Sequence, residues 1–176
     1  MSATHLRHTE DRSGNDHVDT PAWVHGHPHE PNPAPPSRET NFIVTLPNGS
    51  TQTYDVADLR RLLQIEVPNC FIVSTGHGTS GPFTFTGVRL VDFLAHAIPN
   101  AIAWQQLDVI SGDGFGTRLL RTELQTDLPD RPSLLAYQLD HQSLTREQGL
   151  IRLIVPAETD DALKQVKWVA EIVVYG

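Results

Sequence analysis

From residue 41 onward, the chain alternates short apolar runs with turns rich in glycine, asparagine and proline. Residues 42–46 form the first apolar run. Asn48-Gly49 is typical of a type I′ hairpin turn, so residues 51–54 are predicted to return as the partner strand. Further apolar runs predict strands at residues 70–73, 107–110, 117–120, 133–139, 151–155 and 166–174.

Two or three short helices are predicted between these strands. Asp55 can cap a helix that runs through Leu63, and Gly87 precedes a second helix over residues 88–97. Residues 121–124 fit a single helical turn. Because the elements show no regular βαβ alternation, the sequence predicts a mixed α+β fold rather than a doubly wound sheet.

The first 40 residues differ sharply from the remainder. They contain six histidines and six prolines but few apolar residues, and such a segment cannot bury enough surface to offset the entropy of ordering it. We therefore predict a disordered tail over residues 1–40 and one folded domain over residues 41–176. The run His25-Gly-His-Pro-His29 could bind a transition metal weakly, although a solvated tail without a specific ligand is the favoured interpretation.

Residues 69–83 are the most distinctive stretch of the chain. An apolar run that begins at Cys70 breaks into a segment with three glycines and a proline, which predicts an irregular loop at the end of a buried strand. Exposed backbone N–H groups, hydroxyls and an imidazole at a strand end predict a site for an anionic group. A glycine-rich hairpin is the alternative. The predicted loop contributes Gly76, His77, Gly78, Thr79 and Ser80.

Composition excludes several classes of partner. The chain carries 13 basic and 21 acidic residues, a net charge of −8, and without a stripe of Lys and Arg we expect no nucleic-acid surface. No run approaches the roughly 18 apolar residues of a membrane helix. The single cysteine excludes an intrachain disulfide and fits a reducing compartment. Since the N-terminus also has no apolar signal region, a cytoplasmic location is predicted.

Five sequence blocks, taken in order, resemble the oxidoreductase molybdopterin-binding domain of the sulfite oxidase family, especially its small stand-alone members. The resemblance covers residues 41–176 and implies a mixed, mostly β fold with a few short helices. The blocks are Thr86-Gly87-Val88-Arg89-Leu90, Ser111-Gly-Asp113-Gly114-Phe115, Leu134-Leu135-Ala136-Tyr137, Gly149-Leu-Ile-Arg152-Leu153 and Val166-Lys167-Trp168-Val169.

This resemblance implies a molybdenum-molybdopterin cofactor whose metal is completed by a protein cysteine, since soft thiolates suit such a metal. If Gly76-His77 matches the glycine-asparagine pair that follows that cysteine in the family, the ligand position falls on Ser74. Cys70 is the only cysteine available as a metal ligand. It lies four residues upstream, about 13 Å along an extended strand, and could serve only if the register slips or a bulge intervenes.

The resemblance also implies roles for residues outside the predicted loop. Lys164 and Lys167 are expected to hold the pterin phosphate, with Asp113 in the pterin pocket and Arg118 as a further cation. A tyrosine works near the metal in the family, and Tyr137 is the candidate here. The implied activity is oxygen-atom or electron transfer on a small-molecule substrate. Since the chain lacks the heme and dimerisation domains of the large enzymes, the electron-transfer partner would be a separate protein.

His77 is the strongest candidate from the residues alone, because a glycine-flanked imidazole is accessible and titrates near neutrality. It supports an alternative in which the fold is reused without metal for acid–base chemistry on an organic substrate, with Ser74 beside it. A non-catalytic small-molecule binding module is the third possibility.

Overall fold

The computed structural model describes residues 40–74, 78–158 and 163–176. Within this part of the chain, short strands dominate and form two five-stranded sheets, with three short helices between them. In chain order the elements are β1 (Phe42–Thr45), β2 (Thr51–Tyr54), α1 (Val56–Leu59), β3 (Gln64–Ser74), β4 (Gly78–Arg89), α2 (Leu90–Ala97), β5 (Gln106–Ser111), β6 (Gly116–Leu120), α3 (Arg121–Gln125), β7 (Leu134–Leu139), β8 (Gln142–Ser143), β9 (Arg152–Ile154) and β10 (Val169–Tyr175).

The first sheet has the order β2-β1-β10-β5-β6. Its β1–β2 hairpin confirms the prediction made from the Asn48-Gly49 turn, and Gly49 has a φ of 80°, which favours glycine. β10 lies parallel to β1 and antiparallel to β5, so the two ends of the domain meet at the centre of this sheet.

The second sheet has the order β3-β4-β7-β8, and β9 pairs with β7. β3 and β4 form its longest hairpin, with register shifts on both sides of Cys70. β7 pairs with β4 only from Phe85 to Arg89. The outer half of the hairpin is therefore a two-stranded ribbon that extends beyond the rest of the sheet.

One hydrophobic core contains side chains from both sheets and from α2. Alternation along β7 explains how the second sheet takes part, because Leu135 and Tyr137 point into this core while Leu134 and Ala136 point to the opposite face. A smaller buried cluster covers that opposite face. Its members are Val67, Cys70, Phe85, Leu134, Ala136, Leu144 and Ile154.

The helices form where predicted but are shorter. Asp55 caps α1 in a capping box with Asp58, yet the helix ends at Leu59 rather than Leu63. α2 begins at Leu90 because Gly87 belongs to β4, opposite Ala136. A Cβ on Gly87 would lie 2.1 Å from the Leu135 carbonyl oxygen, so this glycine permits close strand approach and does not open the helix.

The loop predicted at residues 76–82 is wrong over its described part, since Gly78 begins strand β4. Glycine and proline are tolerated here because, among the described strands, only β3 pairs with this end of β4, and its other edge has no described strand partner. Gly81 has a φ of 128° and lies against the Cys70 carbonyl. The glycine-rich hairpin that was the alternative is therefore the correct description. Gly76 and His77 lie outside the described residues.

No helix in the described ranges has the length and apolar character needed to cross a lipid bilayer. The tail predicted over residues 1–40 lies outside the described residues except for its last position, Thr40.

Candidate functional site

Three segments meet at one end of the first sheet: the β5–β6 turn, the segment that precedes β9 and the segment that enters β10. Gly112 N–H donates to the Trp168 carbonyl at 2.8 Å, and Trp168 N–H donates to the Gly149 carbonyl at 3.0 Å. The Val169 N–H continues the pattern by donating to the Ile151 carbonyl at 3.0 Å. Three parts of the chain distant in sequence are thus fixed together by backbone hydrogen bonds.

The backbone at this junction adopts conformations that most residues avoid. Leu150 has a φ of 53° and Trp168 a φ of 48°, both in the left-handed region. Gly149, between them in space, has a φ of 110°, and a Cβ there would lie 3.2 Å from the side chains of Arg152 and Lys167. Strained backbone of this kind concentrates at functional sites, where the surrounding structure maintains it.

Arg152 is the most unusual side chain at the junction. It is 7% exposed, although it starts β9 beside the smaller apolar cluster. Its Nη1 donates to the Gln148 carbonyl at 3.4 Å, and its guanidinium lies 5.7 Å from the centre of the Phe85 ring. Its Nε has no hydrogen-bond partner among the described residues. Burial lowers the pKa of Arg152 to about 10, so the group is still cationic at neutral pH. No carboxylate of the described residues forms a salt bridge with it.

Lys167 adds a second cation beside Arg152. Its Nζ donates to the Glu147 carbonyl at 3.4 Å and lies 5.1 Å from the centre of the Trp168 ring. Burial lowers the pKa of Lys167, the positive charge of Arg152 lowers it further, and Asp113 acts in the opposite direction. Lys167, Arg152 and Asp113 therefore share one electrostatic environment.

Asp113 organises the β5–β6 turn. Its Oδ1 accepts from Phe115 N–H at 3.1 Å, and its own N–H donates to Ser111 Oγ at 3.3 Å. Gly114 follows with a φ of 90°. These contacts are those of an Asx turn, and the carboxylate is held close enough to Lys167 to influence its pKa.

A cavity of about 350 Å³ opens beside the junction. Trp168 and Leu150, the two residues with strained backbone, both contribute to its wall. The remaining wall residues are Thr40, Asn41, Ile43, Thr53, Gly112, Ile151, Val169 and Ala170.

Two of the cations predicted at the cofactor site are already paired elsewhere. Arg118 donates twice to Asp108, at 2.7 and 2.8 Å, on the neighbouring strand of the first sheet. The Asp108 carboxylate, 1% exposed, also accepts from the Tyr175 hydroxyl at 2.9 Å. Lys164 Nζ lies 2.7 Å from Glu123 of α3. Of the predicted cofactor-binding residues that the structure describes, Asp113 and Lys167 share the junction with Arg152.

Tyr137 and Cys70 both lie in apolar surroundings. The Tyr137 hydroxyl donates to Gln64 Oε1, and the Gln64 amide donates to the Leu59 and Leu62 carbonyls. Tyr137 thereby ties β7 to the end of α1. Cys70 is 1% exposed within the smaller cluster, and burial raises the pKa of its thiol, opposed by the charge of Arg131. These surroundings lend no support to the predicted roles in catalysis and metal binding.

The described hairpin residues predicted to bind the cofactor are exposed. Gly78, Thr79 and Ser80 pair with Ser74, Val73 and Ile72, so their backbones belong to the ribbon. Ser74 is the last residue of β3. The prediction that these residues bind a cofactor or act in catalysis stays a prediction.

Arg152 is the residue that sequence reasoning missed. It stands in a quoted block, but an arginine within an apolar run was counted only as part of a strand. The available signal was the cost of burying a charge, because an arginine at a core-facing strand position needs a counter-charge or a ligand.

The family model described as the oxidoreductase molybdopterin binding domain matches residues 31–176. No curated protein matches the sequence. Among solved structures, the chain is similar to the sulfane dehydrogenase SoxCD from Paracoccus pantotrophus, with a TM-score of 0.62 and 20% sequence identity. That match covers 78% of this chain and 38% of the other, so the chain spans well under half the length of this relative.

At this identity the structural likeness establishes the fold alone, and it confirms the predicted mixed, mostly β architecture. The family match is independent of it and extends over every described helix and strand. The chain therefore belongs to the oxidoreductase molybdopterin-binding domain family.

Proposed function

We propose that the chain is the cofactor-holding domain of an oxidoreductase and that Arg152 and Lys167 bind the phosphate of a molybdopterin. The observation that carries this proposal is the buried guanidinium of Arg152, which has an unpartnered Nε and no salt bridge to a described carboxylate. A buried charge is costly unless it is paired, so a bound anion would supply the counter-charge that the described residues do not provide.

The surroundings of Arg152 support a phosphate ligand in particular. Arg152 lies close enough to Lys167 for its positive charge to lower the pKa of the lysine. An anion bound between the two cations would relieve that repulsion. Guanidinium groups match phosphate oxygens through two parallel hydrogen bonds, whereas a lysine contributes a point charge. Gly149 lets the Arg152 and Lys167 side chains lie against its backbone, since a Cβ there would be 3.2 Å from both.

The metal half of the cofactor fits this chain less well. Within the described ranges, no group of three or more His, Cys, Asp or Glu side chains is placed to hold a metal ion. Cys70 is buried in an apolar cluster and its thiol has a raised pKa, which opposes the thiolate form that binds metal. The residues fit the phosphate-bearing pterin, and they do not fit a thiolate-bound metal.

Family membership supports an oxidoreductase role in general terms. Within the proposal, the reaction is oxygen-atom or electron transfer on a small molecule, with a separate protein as electron-transfer partner and a cytoplasmic location. Asp113 orients the turn next to the cations, and Gly78, Thr79 and Ser80 of the hairpin remain proposed as further cofactor-binding residues. Arg118 and Lys164 are not included, because Asp108 and Glu123 already neutralise them.

The poor fit to a thiolate-bound metal favours one alternative, a domain that binds an anionic ligand without redox chemistry. If this alternative domain is an enzyme, His77 and Ser74 would perform acid–base chemistry on an organic substrate. If it is not, the domain would be a small-molecule binding module. The two functions differ in what the purified protein contains.

The proposal is tested by the pterin content of protein purified from a host that makes the cofactor. Close to one pterin per chain, released on denaturation and detected by fluorescence after oxidation, is the expected result. A folded protein from the same host that contains no pterin, while a known molybdopterin enzyme prepared alongside is loaded, would contradict the proposal and favour the alternative.

A further inference from the structure

Sulfur donors are scarce in this protein. The 176-residue sequence contains one cysteine, Cys70, and one methionine, Met1. Any thiolate that this chain could offer to a metal must therefore come from Cys70, whatever the arrangement of the residues outside the described ranges.

The Cys70 thiol is buried where a ligand cannot reach it. Its side chain is 1% exposed and lies on the face of the second sheet covered by the smaller cluster. Its Sγ lies 3.4 Å from the Val67 carbonyl and 3.9 Å from the Pro68 carbonyl, contacts that use the thiol hydrogen locally. The facing strand adds to the enclosure, because the Gly81 backbone packs against the Cys70 carbonyl.

Bulges next to Cys70 could have exposed it, since the register of β3 against β4 shifts on both of its sides. They do not, because Cys70 stays among the apolar side chains of the smaller cluster. Burial accordingly favours the neutral thiol over the thiolate. The geometry and the chemistry agree that Cys70 packs as a small hydrophobic residue.

We infer that this domain holds its pterin through the phosphate and the ring system and supplies no sulfur ligand to a metal. This inference rests on the proposed function, and it departs from the cysteine ligation that the family resemblance implies. A metal carried by the pterin would then receive sulfur from the dithiolene of the pterin alone.

The first test is the reactivity of Cys70 in the native, full-length protein toward a chromogenic aryl disulfide. It requires no cofactor, so its result stands even if the purified protein contains no pterin. The reaction is expected to be at least about a hundredfold slower than in denaturant, because the thiol must wait for local opening of the hairpin. Rapid reaction in the native empty protein, blocked once the pterin is bound, would overturn the inference.

The second test compares wild type with Cys70→Ser and Cys70→Ala, both checked for native folding by circular dichroism. Both variants are expected to contain as much pterin and as much molybdenum as wild type. This expectation is also met if none of the three proteins contains molybdenum. Where molybdenum is present, X-ray absorption should find the same number of sulfur neighbours in each protein. Loss of one sulfur neighbour, or of the metal with the pterin retained, in both folded variants would overturn the inference. Absence of pterin from wild type would instead contradict the proposed function. The reactivity of the thiol would still test whether Cys70 can act as a metal ligand.

Discussion

The guanidinium of Arg152 lies over the ring of Phe85, 5.7 Å from the ring centroid. Phe85 is fully buried in β4, and Arg152 begins β9 on the far side of β7. The aromatic face offers a partial counter-charge to the cation. Nothing in the described part of the chain forms a hydrogen bond with the Nε of Arg152, so this donor is available to a ligand.

This contact explains how a positive charge can be held inside the domain before a ligand arrives. The guanidinium contacts the Phe85 ring, and the Gln148 carbonyl accepts one of its hydrogens. A group held in this way loses little further conformational entropy when it binds an anion. The domain is thus prepared for a ligand at the cost of some stability.

Lys167 should make stability depend on pH above neutrality. Its pKa is lowered in the folded protein, chiefly by burial, so the unfolded chain binds more protons between that pKa and 10.5. The free energy of unfolding contributed by this group should therefore rise as pH increases through that window. Denaturant unfolding at a series of pH values measures the slope.

Lys167→Gln and Lys167→Arg provide the matched controls. Neither side chain loses a proton in this window, so both variants should show a flatter dependence on pH than wild type. An unchanged slope in both would assign the pH dependence to other groups.

Asp108→Asn should destabilise the first sheet. The substitution leaves the guanidinium of Arg118, 17% exposed, without its carboxylate partner and weakens the bond from Tyr175. Removing one partner from a buried pair costs about 3 kcal/mol of unfolding free energy. Asp92→Asn is the control, because the Asp92 side chain is 38% exposed and lies 4.0 Å from Arg89. It should change stability by less than about 0.5 kcal/mol, and equal effects from the two substitutions would refute the buried-pair account.

Gly87→Ala should also destabilise the domain, because the added methyl group would meet the backbone of β7 at 2.1 Å. Forcing two paired strands apart costs on the order of 1–3 kcal/mol. Gly176→Ala is the control, since its nearest neighbour would be an ordinary contact at 3.7 Å. Chemical denaturation of both variants measures the difference, and a Gly87→Ala protein as stable as wild type would contradict the close approach of the strands.

Tyr137→Phe separates a structural role from a catalytic one. Loss of the hydroxyl removes the hydrogen bond to Gln64 and should lower the free energy of unfolding by about 1 kcal/mol. Retention of pterin should be unchanged, because the described contacts of Tyr137 are with the core, Gln64 and Arg60, and Arg152 and Lys167 are not among them. If the Tyr137→Phe variant has normal stability but loses the pterin, Tyr137 contributes to the cofactor site and the structural role is contradicted.

Local sequence signals predicted local structure well. The Asn48-Gly49 turn and the Asp55 cap each depend on neighbouring residues, and both are present as expected. The start of α2 was misplaced because strand pairing outweighed helical periodicity where Gly87 packs against β7. The apolar periodicity at Leu62 and Leu63 extended the predicted α1 into residues that form a turn. In the same way, the glycine and proline of the hairpin were taken for a loop although a free strand edge accommodates them.

The candidate site was predicted only in part, since charge pairing is not visible along the chain. Lys167 and Asp113 come together as expected, whereas Arg118 finds Asp108 across the β5–β6 pair and Lys164 finds Glu123 of α3. Arg152 was overlooked because its neighbours in the sequence are apolar. Its significance follows only from its burial and from the absence of a salt bridge among the described residues.

The most direct measurement is the pterin retained by Arg152→Met compared with Arg118→Met, each purified from a host that makes the cofactor. Losing charge-assisted hydrogen bonds worth about 1.5–3 kcal/mol should weaken pterin binding by roughly 10- to 150-fold in Arg152→Met, while Arg118→Met keeps the affinity of wild type despite lower stability. Arg152→Lys should fall between them, since it keeps the charge and loses the planar fork. Full retention by a folded Arg152→Met protein would contradict the account.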